Sequence, residues 1–146
     1  TRAEADDNEG KLKRASAIKR INTKGLTPYL QDFMVTCFSD HYKKNHQENL
    51  QNIIQQSSRF SPLGVKGCLI AMLSRTDTMG TLEKIEIPIL LIFGEEDALT
   101  PPAAMRAVFQ KIKHGEFVEI SQAGHMSPIE NSLEVNKAIR DFLEKH

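Results

Sequence analysis

A seven-residue apolar run, IPILLIF at positions 87–93, is the feature that most constrains the fold of this chain. The run is the length of a strand and far shorter than the roughly 18 residues of a membrane-spanning helix. It shows little alternation of polar and apolar side chains. Such a run is typical of a parallel strand whose two faces are both covered by helices, and it therefore favours the α/β class. Three acids at 95–97 follow it directly.

The pattern after this strand continues as a βαβα unit. The next helix carries an apolar stripe that His114 and Gly115 would end, and EFVEI reads as a second strand. SQAGHMSPIE reads as a loop, and Asn131 and Glu134 have the spacing of a capping box that starts a last helix. A crossover of this length predicts a right-handed connection between parallel strands. The stripe of the first helix is formed by Met105, Val108, Phe109 and Ile112.

Residues 7–80 have the pattern of four helices with short polar connections. Gly25 would close the first, KLKRASAIKRINTKG, and Thr27 would cap the second, LTPYLQDFMVTCF, ahead of Pro28. KKNHQENLQNIIQQS reads as the third, and SPLGVKGCLIAMLSR as the fourth, begun by Ser61 and Pro62. We therefore expect a helical region at 1–80 and a parallel-sheet region at 81–146.

Composition excludes several classes of function. Basic and acidic residues number 19 each, whereas a general nucleic-acid binder carries a basic excess. Cys37 and Cys68 match no metal or redox spacing, and the sequence shows no signal peptide, so we expect a protein of the reducing cytoplasm without a membrane partner. His41 and His46 are five positions apart, which does not suit a metal site on a helix. No cofactor or metal is predicted.

The acids after the first strand have a partner after the second. In open α/β sheets, chemistry is found at the carboxyl ends of the strands, where Asp97 and His125 both lie in this pattern. A carboxylate facing an imidazole is the orienting half of a nucleophilic triad, and Asp97 and His125 are the predicted catalytic residues. Glu95 and Glu96 are weaker acid candidates that we expect to be solvated. The alternative is that Asp97 is only a turn residue.

Two motifs carry a family resemblance. Gly94, Asp97 and Pro101 form a G-x-x-D-x-x-x-P arrangement, and Gly124 and His125 form a G-H pair. In both, the chain resembles the C-terminal part of the α/β-hydrolase family. The resemblance implies a partial α/β-hydrolase fold in which residues 1–80 are the helical cap and 81–146 the end of the core. It also implies action on a small ester or lactone, as in the esterase, lactonase and acyltransferase-like branch.

The sequence departs from that family at the nucleophile. The family carries its serine in a G-x-S-x-G elbow, and none of the serines here has that context. The chain starts at Thr1 rather than methionine, and its opening, TRAEADDNEGK, resembles the residues that leave a preceding core strand. We therefore expect a portion of a longer hydrolase whose upstream part supplies the nucleophile, and an isolated chain that does not hydrolyse esters.

A second hypothesis is a non-catalytic module that binds or assembles through the same half-fold. Without an upstream neighbour, the apolar first strand would present an unpaired edge, and such edges pair with other chains. We expect a homo-oligomer formed through that edge when the upstream portion is absent.

Overall fold

The computed structural model describes residues 2–146 of the chain. Thr1, on which the expected upstream continuation was partly based, lies outside the described residues. Helices occupy the first half and a βαβα unit the second. The helices of the first half are α1 (Asn8–Lys24), α2 (Leu26–Thr36), α3 (Asp40–Asn45), α4 (Gln47–Ser57), α5 (Pro62–Leu73) and α6 (Met79–Leu82).

The bounds of α1 and the start of α5 follow from capping chemistry visible in the sequence. The Asp7 side chain accepts a hydrogen bond from the backbone of Gly10, which satisfies one of the unpaired amides at the start of α1. Gly25 ends α1 with a φ of 86°, a left-handed value that glycine adopts without steric cost. Ser61 caps α5 by accepting from the amide of Gly64. The predictions at Gly25 and Ser61 are confirmed.

Two predictions in the helical half are wrong. Thr27 does not cap α2, because the helix already begins at Leu26 with Gly25 at the cap position and no side-chain cap. The predicted third helix is two helices, α3 and α4. His46 separates them with a φ of −130°, outside the helical range, and its ring stacks on Tyr42 at 4.7 Å between centroids.

The second half is built on two parallel strands, β1 (Ile89–Gly94) and β2 (Gly115–Ile120), which form a two-stranded sheet within residues 2–146. Their register runs from Ile89 opposite Gly115 to Gly94 opposite Ile120. The carboxyl ends of both strands therefore lie side by side.

One helix covers each face of this sheet, as the continuous apolar run predicts. On one face, Phe117 lies between Phe93 and Phe109, with ring centroids 4.4 and 5.0 Å away. Phe109 is the last residue of α7 (Pro102–Phe109). On the other face, Ile120 and its neighbours pack against Val135 of α9 (Ser132–Lys145). Alternate strand residues point to opposite faces, so α7 and α9 enclose the sheet from both sides.

Three details of the second half sharpen the sequence reading. The prediction that the helix after β1 extends to His114 and Gly115 is wrong: α7 ends at Phe109, so Ile112 is not part of it, and Gly115 begins β2. The predicted loop between β2 and α9 contains a short helix, α8 (Ser127–Glu130). Asn131 caps α9 as predicted, because its side chain accepts from the amide of Glu134. The reciprocal half of a capping box is not formed, since the Glu134 carboxylate accepts from the Asn131 side chain while the Asn131 amide donates to Ser127.

A buried ion-pair network secures the start of the described chain. Asp6 is 6% exposed and accepts from Arg14 of α1 and from Arg75, just beyond α5. The hydrogen bond from Arg14 lowers the pKa of Asp6 below its usual value. This network adds to the packing between α1 and α5 around Leu69.

Helices and site loops share a core cluster. Phe38, Tyr42 and Ile54 form part of a buried group in the helical half, and Leu99 and Met126 from the loops after β1 and β2 pack against it. The helical half therefore supports both loops that carry the predicted site. None of the helices formed by residues 2–146 has the length and apolar character needed to span a membrane.

Candidate active site

The two loops at the carboxyl edge of the sheet bring Asp97 and His125 into direct contact. Nδ1 of His125 lies 2.9 Å from Oδ2 of Asp97. The paired strand ends, Gly94 and Ile120, lie beneath this contact. Two side chains 28 positions apart in the sequence thus form one hydrogen-bonded pair.

Asp97 is bound by an almost complete set of donors. Its Oδ1 accepts from the amides of Leu99 and Thr100, both at 2.8 Å, and its Oδ2 accepts from His125 and from the hydroxyl of Thr100. The Asp97 side chain is 3% exposed, whereas that of His125 is 34% exposed. Burial alone would raise the pKa of Asp97, but the hydrogen bonds from His125 and Thr100 outweigh it and lower the pKa to about 2.

This environment sets the protonation of the pair. Asp97 is ionised at neutral pH and can only accept, so Nδ1 of His125 must carry the proton between them. A neutral imidazole in that tautomer has its lone pair on Nε2. The partly exposed ring can therefore take up a proton at Nε2 while Asp97 stabilises the resulting cation.

Close backbone approach makes glycine necessary beside both residues. A Cβ at Gly94 would lie 2.2 Å from the carbonyl oxygens of Ala123 and Gly124. A Cβ at Gly124 would lie 2.7 Å from the backbone nitrogen of Ser39, in the connection between α2 and α3. Both distances are shorter than real carbon contacts allow. The missing side chains let the loops and the helical half meet.

Glu95 and Glu96 are exposed, as expected, but neither is free of tertiary contacts. The Glu95 carboxylate accepts from the hydroxyl of Ser121 and the amide of Gln122, both at 3.1 Å. The Glu96 carboxylate accepts from the amide of Asp40 at 2.8 Å. These contacts join the loop after β1 to the loop after β2 and to α3. The run of three acids therefore places one carboxylate on the histidine and two on the surrounding backbone.

Sequence reasoning missed Thr100, Ser39 and Glu130. Thr100 is buried and donates its hydroxyl to Asp97, and the D-x-x-T spacing is the signal that could have indicated it. Ser39 is 1% exposed and donates its hydroxyl to the carbonyl of Gln122 at 3.0 Å. No local signal relates Ser39 to the histidine loop, because 83 residues separate it from its acceptor.

Cys37, two positions before Ser39, is a buried thiol whose surroundings do not favour a nucleophilic role. Burial raises the pKa of its thiol to about 11, and the charge of Asp97 adds to the rise. The thiol donates to the carbonyl of Phe33 at 3.4 Å. Only a thiolate is a strong nucleophile, so Cys37 acts as a small packed side chain.

An open cavity of about 390 Å³ lies between the helical half and the acid-bearing loop. Its lining combines apolar and charged side chains. Two lining residues, Glu96 and Ala98, flank Asp97 in sequence, but neither Asp97 nor His125 lines the cavity. No group of three or more metal-ligating side chains is found in the part of the chain that the structure describes. The cavity is lined by Thr36, Phe38, Asp40, Lys43, Glu96 and Ala98.

The family is decided by comparison with known sequences. A family model described as Abhydrolase_4, TAP-like protein, matches residues 65–146, which is more than half of the chain and includes both site loops. The chain belongs to the α/β-hydrolase family. The matched segment contains both motifs on which the resemblance was based, the one around Asp97 and the one at His125.

Individual relatives in the α/β-hydrolase family agree with this assignment. The chain is 26% identical over 125 residues to 3-oxoadipate enol-lactonase 2 of Acinetobacter baylyi, covering 86% of this chain and 46% of that protein. It is 33% identical over 70 residues to a pimeloyl-[acyl-carrier protein] methyl ester esterase of Neisseria meningitidis, covering 48% of this chain and 27% of that protein.

Solved α/β-hydrolase structures share the fold along nearly the whole chain. A thermophilic esterase from Thermogutta terrifontis superposes with a TM-score of 0.92 at 31% identity, covering 99% of this chain and 53% of the esterase. The enol-lactonase from Burkholderia xenovorans LB400 gives a TM-score of 0.85 at 24% identity, over 99% of this chain and 54% of the lactonase. The chain thus has a partial α/β-hydrolase fold and spans about half the length, or less, of the relatives it matches.

Proposed function

We propose that this chain provides the acid and the base of a serine-type hydrolase that acts on a small ester or lactone. The observation that carries the proposal is the 2.9 Å contact between Nδ1 of His125 and the buried Oδ2 of Asp97 at the carboxyl edge of a parallel sheet. The hydroxyl of Thr100 donates a second hydrogen bond to the same carboxylate oxygen of Asp97.

In the proposed reaction His125 moves the protons and Asp97 holds the ring. Nε2 of His125 removes the proton of a serine hydroxyl as the serine attacks the carbonyl of the ester. The same nitrogen then gives that proton to the leaving alcohol and later activates the water that releases the acid. Asp97 keeps Nδ1 protonated and stabilises the imidazolium in each step, and its pKa of about 2 keeps it ionised throughout.

The proposal assigns the serine to a part of the hydrolase outside these 146 residues. It is supported by the lack of a G-x-S-x-G motif in the sequence and by the span of the relatives, of which this chain covers about half or less. Asp97 and His125 without a nucleophile and an oxyanion hole lack most of the machinery of acyl transfer. We accordingly expect the chain by itself to be inactive.

The proposed substrate class, a small ester or lactone, rests on the relatives. The names of two relatives specify an enol-lactone and the methyl ester of a pimeloyl group on acyl-carrier protein, which are both carboxylic esters in the broad sense. We propose residues 1–80 as the cap that bounds the substrate and 81–146 as the end of the core.

Exposed apolar surface supports a large protein partner, which we propose to be the preceding half of the hydrolase. Phe60, Leu63 and Ile70, at or near α5, are 59%, 76% and 55% exposed. Within residues 2–146 the sheet consists of β1 and β2, so each has an outer edge without a strand partner in this part of the chain. Alone, the chain is expected to cover these surfaces by forming a homo-oligomer.

The decisive experiment compares the chain with a longer polypeptide that also includes the residues encoded upstream of Thr1. Both are assayed against a panel of short-chain esters and lactones, with His125→Ala as the inactive variant. His114→Ala is the matched control, because His114 lies at the opposite end of β2 and is exposed. The proposal expects turnover and labelling by a serine-directed probe only in the longer polypeptide, and loss of turnover only in His125→Ala.

Two outcomes would contradict the proposal. Labelling and robust turnover by the isolated chain would show that the nucleophile lies within it. Self-association without hydrolysis by either polypeptide would favour the non-catalytic assembly module instead.

A further inference from the structure

We propose that Glu130 is a positioning residue for His125, acting through a two-point contact that fixes the histidine loop to the helical half. This inference rests on the proposed function for its catalytic meaning, but its geometry stands on the described contacts. Oε1 of Glu130 accepts from the amide of Gly124 at 2.9 Å, and Oε2 accepts from the amide of Ser39 at 2.8 Å. Gly124 immediately precedes His125.

The local fold places this carboxylate beneath the loop. Glu130 is the last residue of α8, and its amide and that of Ile129 both donate to the carbonyl of Met126. This single turn of helix brings a side chain five positions after His125 back to the backbone just before it. The spacing G-H-x-x-x-x-E is therefore a local signal for the contact at Gly124.

The second contact is not local. Ser39 lies 91 positions from Glu130, in the connection between α2 and α3. In the same connection, the carbonyl of Cys37 accepts a hydrogen bond from the amide of Met126 at 3.2 Å. The Ser39 hydroxyl donates to the carbonyl of Gln122 and accepts from the amide of Tyr42.

These hydrogen bonds enclose His125 from both sides in sequence. Before His125, the carbonyl of Gln122 binds Ser39 and the amide of Gly124 binds Glu130. After His125, the amide of Met126 binds the carbonyl of Cys37. A carboxylate accepting two backbone amides forms charge-assisted bonds, which are stronger than neutral ones. Glu130 is the one side chain among these contacts that joins the histidine loop directly to the helical half with both of its oxygens.

The consequence concerns the distance between His125 and Asp97. Asp97 is held independently by the amides of Leu99 and Thr100, so its carboxylate stays in place if the histidine loop shifts. Among the described residues, the imidazole ring of His125 has hydrogen-bond contacts with Asp97 and Thr100 alone. Its position relative to Asp97 therefore depends on the backbone around it. Contacts from the Asp97 loop hold that backbone at Gln122 and Ala123, and Glu130 holds it at Gly124, the residue directly before His125.

The test replaces the carboxylate without changing its size. In Glu130→Gln the amide oxygen can still accept one N–H, but the NH2 group would face the other amide, so two-point binding is lost. Glu130→Asp keeps the charge but is one methylene too short to reach both amides, which separates the loss of bridging from the loss of charge. Glu116→Gln is the matched control, because its carboxylate binds Lys145 at the opposite end of β2.

Two measurements on the chain itself report the position of His125 without any need for turnover. The first is the downfield NMR resonance of the Nδ1 proton shared with Asp97. The second is hydrogen exchange of the amides of Gly124, Ser39 and Met126. We expect both Glu130 variants to broaden or lose the resonance. We also expect these three amides to exchange about tenfold faster than they do in the original chain, while amides in α9 keep their rates, as for the loss of one charge-assisted bond.

A purely structural role for Glu130 would give a different result. It would accelerate exchange throughout the chain in proportion to the loss of stability, while folded molecules kept the Nδ1 resonance. The proposal is wrong if both variants retain the resonance and the local exchange rates of Glu116→Gln. Failure here would leave the serine-hydrolase proposal standing, since that is tested separately by turnover of the longer polypeptide and its loss in His125→Ala.

Discussion

Replacing Asp97 with asparagine should remove a stabilisation that depends on its charge. In the folded chain, Asp97 accepts four hydrogen bonds while 3% exposed. Asparagine keeps the size, but its NH2 group would face donors that the carboxylate now accepts. Lowering the pKa from 3.8 to about 2 corresponds to about 2 kcal/mol of folding free energy at pH 7, and this is the expected loss in Asp97→Asn.

The pH dependence provides the sharper form of this prediction. The folded-state pKa of Asp97 is depressed, so its contribution is fully present above the unfolded pKa of 3.8 and is lost as the pH falls through about 2. The contribution of the Asp97 carboxylate to the difference between the original chain and Asp97→Asn should therefore be fully present at pH 5, fall to about 1 kcal/mol at pH 3, and approach zero near pH 1.

Urea unfolding followed by circular dichroism at low protein concentration measures this difference. With a slope of about 2 kcal/mol per molar urea, the midpoint should shift by about 1 M at pH 7. Asp32→Asn is the control, because the Asp32 side chain is 67% exposed and its surface ion pair should contribute less than about 1 kcal/mol. A difference between the original chain and Asp97→Asn that does not fall between pH 5 and 3 would refute the reasoning, because the stabilisation would then not come from the ionised carboxylate.

Three further predictions follow from packing, burial and exposed surface. Gly124→Ala should lower the free energy of unfolding by about 1–3 kcal/mol, because the new methyl group would overlap the backbone of Ser39. Gly67→Ala in α5, which has open space around it, should be neutral or stabilising by up to about 1 kcal/mol, and paired thermal melts compare the two variants. Asp6→Asn should cost about 1–3 kcal/mol in urea unfolding, since two partly exposed arginines lose the charge of their buried partner, and a loss no larger than that of the exposed Asp32→Asn would contradict the role of this network. Light scattering of the isolated chain should show a mass that rises with concentration, and a stable monomer over a wide concentration range would argue against the apolar surfaces and strand edges as binding surfaces.

Several elements could be predicted from short stretches of sequence because their causes are local. The apolar run before Gly94 predicted β1 and its covering helices, since only a strand buried on both faces tolerates so few polar residues. Gly25, Ser61 and the pair Asn131 and Glu134 marked helix ends, because capping satisfies backbone groups within three or four residues.

Other local readings failed where distant contacts outweighed propensity. The residues around His46 have the composition of one continuous helix, yet the chain turns there. Ser39 caps α3, and Tyr42 in its first turn is buried in a cluster that also contacts Leu99 and Met126. The break in the helix is therefore tied to packing against loops more than 50 residues away, which no window of sequence contains.

The candidate site divides in the same way. Sequence by itself determined which residues could do the chemistry: an acid and a histidine placed after two parallel strands must emerge at one edge of the sheet, because strand direction and the crossover dictate it. Only the tertiary structure decided how they are held. The 2.9 Å contact of His125 with Asp97, the Thr100 hydroxyl on the same carboxylate, and the Glu130 contact to Ser39 all depend on where separate segments meet in space. Hydrogen bonds require placement within tenths of an ångström, and that placement comes from the packing of the whole fold rather than from the spacing of residues along the chain.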